Sequence, residues 1–230
     1  TVHSFTSSGT FTPSSAGTVE YLVVAGGGGR GKEAYYGGGG GAGGFLTATD
    51  FAVAATGLTV TIGAGGAESL NGTGADGSDS VFSSITADGG GGGAFPDQVG
   101  NNGGSGGGGG GNDSARAGGS ATAGQGNDGG ASQTSGASAA GGGGGAGGVG
   151  GTSTGASLGT GGVGGAGLQS SINGTATYYS AGGGGVNGYT SPADGANGTG
   201  WADAANRGHG GGAVTEGDGS SGIVIIRYLT

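Results

Sequence analysis

The chain has 230 residues, 74 of them glycine, and carries 14 acidic against five basic side chains for a formal net charge of −9. Arg30, Lys32, Arg116, Arg207 and Arg227 are too few to build a basic face, which excludes nucleic-acid binding, and no apolar run is long enough to cross a bilayer as a helix. The absence of Cys and Met removes disulfides, thiolate metal sites and cysteine nucleophiles.

Short β-branched and alternating stretches open the chain. Val2-His-Ser-Phe, Thr10-Phe-Thr, Val19-Glu-Tyr-Leu-Val-Val, Leu58-Thr-Val-Thr-Ile and Ser80-Val-Phe-Ser-Ser-Ile-Thr predict strands, separated by Gly, Ser, Pro and Asn-Gly turns. Between about 88 and 221 the chain is glycine-rich, with runs at 89–93, 106–111, 141–145 and 182–185 besides those at 26–29 and 37–41. The last segment, Gly222-Ile-Val-Ile-Ile-Arg-Tyr-Leu, is the most apolar and has the length of a buried strand. Pairing the two chain ends gives a β-strand base from 1–87 and 222–230, with 88–221 as a glycine-rich insert in one compact unit. The chain begins at Thr1 without a secretory signal, as expected of a processed or excised chain.

The insert poses an energetic problem. Leu, Ile, Val and Phe total only 32 residues, a level at which chains are commonly disordered. Each ordered glycine costs roughly 0.5–1 kcal/mol more than alanine in backbone entropy, so order requires that nearly every glycine amide be paired. A period of three marks the clearest part: Ala146, Val149 and Thr152 each follow Gly-Gly, and Thr160, Val163 and Ala166 repeat the spacing. In a left-handed three-residue helix these side chains form one ridge, with Gly148 on a packed face. The expected fold is therefore all-β, a small sheet or sandwich from the chain ends, joined to a bundle of polyglycine-II helices. Three prolines and a broken period exclude collagen.

Glycine abundance also explains the apparent catalytic motifs. Gly26, Gly31 and Lys32 match a phosphate-binding loop, but Glu33 stands where a hydroxyl should hold Mg²⁺, and the glycines beyond cannot form the helix that such a loop feeds. The nucleophile-elbow pattern Gly-x-Ser-x-Gly occurs around Ser105, Ser153 and Ser157, the frequency that composition alone produces. No acid, base and nucleophile converge, so neither an enzyme nor a cofactor is expected.

Several motifs together carry a family resemblance: Ser4-Phe-Thr-Ser-Ser-Gly-Thr-Phe-Thr, Val19-Glu-Tyr-Leu-Val-Val-Ala followed by four glycines, Gly37 through Phe45, Val60-Thr-Ile-Gly-Ala-Gly-Gly, the Asn71-Gly to Ser80-Val-Phe block, and the closing Ser221-Gly-Ile-Val-Ile-Ile-Arg-Tyr. Over nearly its whole length the chain resembles the glycine-rich domain of bacteriophage tail-fibre, adhesin and microbial surface proteins. The resemblance implies a rigid, extracellular, non-enzymatic role. In the T-even-type adhesins that it resembles more loosely, loops between polyglycine-II helices bind the host surface. Those adhesins carry an attachment region ahead of the glycine-rich part, whereas here strand motifs start within the first five residues, which favours association with copies of itself.

Candidate sites follow from these readings. Phe95, Tyr178, Tyr179, Tyr189 and Trp201 lie in the non-glycine connections, where exposed aromatics stack on glycan rings or form subunit contacts, or else cap the glycine bundle. Ile223, Val224, Ile225 and Ile226 form the candidate assembly strand, since an unpaired strand edge is a template for another chain. Asn71, Asn112, Asn173 and Asn197 each begin a glycosylation sequon. Asp76, Asp79, Asp113 and Asp128 read as solvated turn residues. Gly108 through Asp113 fits the start of a calcium-binding repeat that has no tandem copy. His3 and His209, the only histidines, read as surface residues, and no metal site is expected. Two functions result: a self-assembling subunit of an extracellular microbial fibre, or a tail-fibre tip adhesin whose loops at 95–102, 112–122 and 187–207 bind a host glycan or protein.

Overall fold

The computed structural model describes residues 1–31, 36–133, 139–154, 159–186, 205–212 and 217–228. Among these residues the regular structure is all strand: β1 (Val2–Phe5), β2 (Gly9–Phe11), β3 (Gly17–Val24), β4 (Phe45–Val53), β5 (Leu58–Thr61), β6 (Ser80–Phe82), β7 (Ile85–Ala87), β8 (Leu168–Ser170), β9 (Thr177–Tyr179) and β10 (Ile223–Tyr228). They form two four-stranded antiparallel sheets, ordered β1-β10-β3-β4 and β2-β5-β6-β7, and the hairpin β8-β9. The stretch 80–86, expected as one strand, is a hairpin: Phe82 pairs with Ile85 across Ser83-Ser84, and Ser83 adopts φ 55° to close the two-residue turn. β4, β8 and β9 lie outside the predicted strands because their exposed Thr, Ala and Gln positions lack the expected apolar alternation.

Alternation along β3 and β10 explains how the first sheet can be buried on both faces. Val19, Tyr21, Val23, Val224 and Ile226 point to one side and pack against Phe11, Val60, Phe82 and Ala87 of the second sheet. Leu22, Val24, Ile223 and Ile225 point to the other side, where Ile172 and Tyr179 of the hairpin region and Phe45 cover them. Aromatic edges fill the sandwich: Tyr21 meets Phe51 at 5.6 Å and 87°, and Phe82 lies 5.4 Å from Phe51.

This arrangement corrects the assignment of Ile223, Val224, Ile225 and Ile226 as an assembly joint. β10 pairs with β1 on one side and β3 on the other, and all four side chains are buried, so the strand has no free edge to offer. The outer edges of that sheet belong to β1 and β4. The β3–β4 register shifts between Val19 and Tyr21, and Asp50 at φ 60° lies in the β4 stretch opposite that shift, as a β-bulge requires.

The expected bundle of polyglycine-II helices is not what the structure contains. No described residue lies in a helix, and the glycine runs are segments without regular secondary structure, cross-linked by backbone hydrogen bonds to segments distant in sequence. Residues 38–44 run through the middle. Their amides donate to Ala94, Gly141, Gly211, Gly91, Gly144, Gly208 and Asp88, while their carbonyls accept from Gly31, Gly108, Gly183, Gly28, Ser105 and Ala25. At the glycines such bonding brings backbones too close for a side chain: a Cβ on Gly39 would stand 2.1 Å from the Gly183 carbonyl oxygen. On the outermost segments Val149 and Val163 are exposed, but a Cβ on Gly148 meets nothing nearer than 3.6 Å, so Gly148 is not on a packed face as the period of three had implied.

Candidate functional site

At several points in the glycine mesh, side-chain oxygens from the connecting loops accept amides in place of backbone carbonyls. The Asp76 carboxylate accepts from the Gly92 amide at 2.7 Å and from Asn101 Nδ2 at 2.8 Å, and Asp79 accepts from Gly89 at 2.8 Å. Asp128 accepts from Ala121 at 2.7 Å, and Asn102 Oδ1 from Ser120 at 2.7 Å. Asp76, Asp79 and Asp128 are therefore caps on the mesh and not merely solvated turn residues. An ionised acceptor roughly doubles the strength of such bonds.

The same bonds draw three loops onto one rim. Asp97, at φ 58°, accepts from the amides of Asp113 and Ser114 through Oδ1 and from Asn112 Nδ2 through Oδ2. Thr73 donates its hydroxyl to Gln98 Oε1 and accepts the Phe95 amide. Loops 95–102 and 112–122 thus form one surface with 71–76, on which Leu70 and Val99 are exposed. Asp97, Gln98, Asn101 and Asn102 fall in the expected binding loop 95–102 without having been singled out, whereas Thr73 lies outside the expected loops; the Pro96-Asp97 turn signal ahead of a glycine run was the cue to Asp97.

The described candidate aromatics, Phe95, Tyr178 and Tyr179, do not converge. Phe95 is half-buried on this rim, with its amide held by Thr73. Tyr179 lies in the core beneath the first sheet, where burial raises its phenol pKa above the ordinary value against the opposing effects of Thr177 and Arg207. Tyr178, its neighbour on β9, is half-buried. Tyr189, Trp201 and Asn197, with most of loop 187–207, lie outside the described residues.

The three described sequons differ. Asn71 is exposed, as is Asn173, whose Oδ1 accepts the Thr175 amide at 3.0 Å in the β8-β9 turn. Asn112 is half-buried and its side-chain nitrogen is bonded to Asp97 at 3.0 Å, so modification there would break the rim. Gly108 through Gly111, the start of the suggested calcium repeat, are buried in the mesh. Among the described residues no three His, Cys, Asp or Glu side chains gather as a metal site would require. Ser105 and Ser153, centres of two elbow-like motifs, are buried. His3 is exposed as expected, but His209 is not: it is 1% exposed.

A model of a glycine-rich domain matches residues 6–229, from just after β1 to just past β10. The chain belongs to the glycine-rich domain family. No curated protein matches it. In this glycine-rich domain the rim combines the acidic caps Asp76 and Asp97 with the exposed apolar side chains Leu70 and Val99.

Proposed function

We propose that this glycine-rich domain is a non-enzymatic structural unit that associates with copies of itself into an extracellular microbial fibre or appendage. The observation that carries the reading is the mesh around residues 38–44, in which rigidity comes from main-chain bonds and leaves the outer surface free to vary. The open edges support self-association. Because neighbouring strands in the order β1-β10-β3-β4 are all antiparallel, β1 and β4 run in opposite directions. The β1 of one copy can therefore extend the β4 edge of the next as an antiparallel strand, a head-to-tail contact that propagates instead of closing. The extracellular placement rests on the likeness of the sequence motifs to tail-fibre and microbial surface proteins.

Electron microscopy of the full chain over a range of concentrations tests this. Filaments of regular width are expected, and Thr47→Pro on the β4 edge should abolish them without unfolding the domain. Single compact particles at every concentration would reject the reading. In that case a tail-fibre adhesin stands next, favoured by the joining of loops 95–102 and 112–122 on one rim, and binding of glycans or host surfaces would be compared between the natural chain and Gln98→Ala.

A further inference from the structure

His209 occupies a joint between three parts of the chain. Its Nδ1 accepts the Ala181 amide at 3.0 Å, its own amide donates to Ser220 Oγ at 2.8 Å, and its carbonyl accepts the Ser220 amide at 2.9 Å. The flanking residues repeat the connection, Ser180 donating to the Arg207 carbonyl and Gly210 to that of Ala181. Ser180 takes φ 53° to make the turn, directly after Tyr179 in β9. Since Nδ1 is an acceptor here, the proton of the neutral ring sits on Nε2.

We propose that His209 is an acid-released latch: the neutral ring holds residues 205–212 against the end of β9, and proton uptake at Nδ1 opens that joint. A protonated Nδ1 would point its N–H at the Ala181 N–H, so a bond becomes a confrontation of two donors. The new cation would also be buried, at 1% exposure, beside the positive charge of Arg207. Among the described residues Arg207 is the charged side chain that acts on the ring; Tyr179 on β9 is neutral, and farther along the segment the Arg30–Glu68 pair cancels its own charge. Burial first, and Arg207 second, lower the ring's pKa from 6.5 to about 4, with a backbone contact at Ala181 offsetting only part of this. Release of 205–212 loosens the β8-β9 hairpin and so uncovers the face formed by Leu22, Val24 and Ile225.

The sign follows from linkage. The folded pKa lies below the unfolded value, so the latch's contribution is complete above about pH 6.5 and is lost as pH falls towards about 4. Urea unfolding of the full chain across this window would be compared with His209→Asn, whose Oδ1 can accept the Ala181 amide without titrating. The folding constant of the natural chain should fall by about 80-fold more than that of the variant between these two pH values. Parallel curves would overturn the latch. Should the variant not fold, the protection factor of the Ala181 amide against hydrogen exchange decides: it should drop with acid relative to that of Gly28, and a constant ratio would refute the proposal.

Discussion

Replacing Gly40 by alanine tests the mesh at its centre. The Gly40 amide donates to the Gly211 carbonyl at 2.8 Å, and its carbonyl accepts the Gly183 amide at 2.9 Å. An added Cβ would stand 2.1 Å from the Gly28 oxygen and 2.9 Å from the Gly211 nitrogen, two groups that are bonded to each other at 2.8 Å. Relieving the clash requires a shift of about 1 Å, beyond the 2.7–3.2 Å range of an N–H···O bond. At least two of these buried bonds break, and each unsatisfied group costs about 1–3 kcal/mol. Counting one such penalty per broken bond, and after the gain of about 0.4–1 kcal/mol from a stiffer unfolded chain, a net loss of about 1–5 kcal/mol remains. For a chain of this size that lowers the melting temperature by on the order of 10 °C. Gly148→Ala is the control: its Cβ meets the Ala166 nitrogen at 3.6 Å, an ordinary contact, so the change should be neutral or stabilising by up to about 1 kcal/mol. Urea and thermal unfolding of both variants measure the difference. Stabilities within about 0.5 kcal/mol of one another would refute the claim that close backbone contact holds the mesh together.

Phe82→Ala, which empties a fully buried site between the two sheets, should cost about 3–5 kcal/mol in urea unfolding. Tyr179 should ionise above the ordinary tyrosine value of 10.0: its folded pKa is raised by burial, so its contribution is complete below the unfolded value and is lost as pH rises through the folded one. Ultraviolet titration of the natural chain against Tyr179→Phe checks this, and the two curves should differ by one phenol that ionises above that value. Asp97→Ala removes three hydrogen bonds tying 97 to 112–114; a loss of about 1–3 kcal/mol is expected, together with faster hydrogen exchange at the Asp113 and Ser114 amides.

Strands were legible where side chains alternate. Val19 through Val24 and Ile223 through Ile226 announce themselves by β-branched residues, and both faces of the sheet need them. The demand that glycine amides be paired was legible too, because entropy alone forces it. The bundle of polyglycine-II helices was inferred from a short stretch of period three, yet pairing in the mesh obeys no local period: Gly40 bonds to Gly211 and Gly183, which nothing near residue 40 encodes. The rim was half-readable, since Pro96-Asp97 signals a turn but not that Asp97 caps 112–114.

Composition and local pattern by themselves determined an acidic, all-β chain whose glycines must bond through their backbones. Only the tertiary structure decided that the most apolar strand lies inside its sheet, that Asp76 and Asp97 cap the mesh, and that His209 is buried and holds a joint. The reason is physical. A glycine carries no side chain to record its neighbours, so the choice of partner rests with the geometry of the whole assembly, and every side chain at the mesh's edge takes its role from the amide that geometry leaves open.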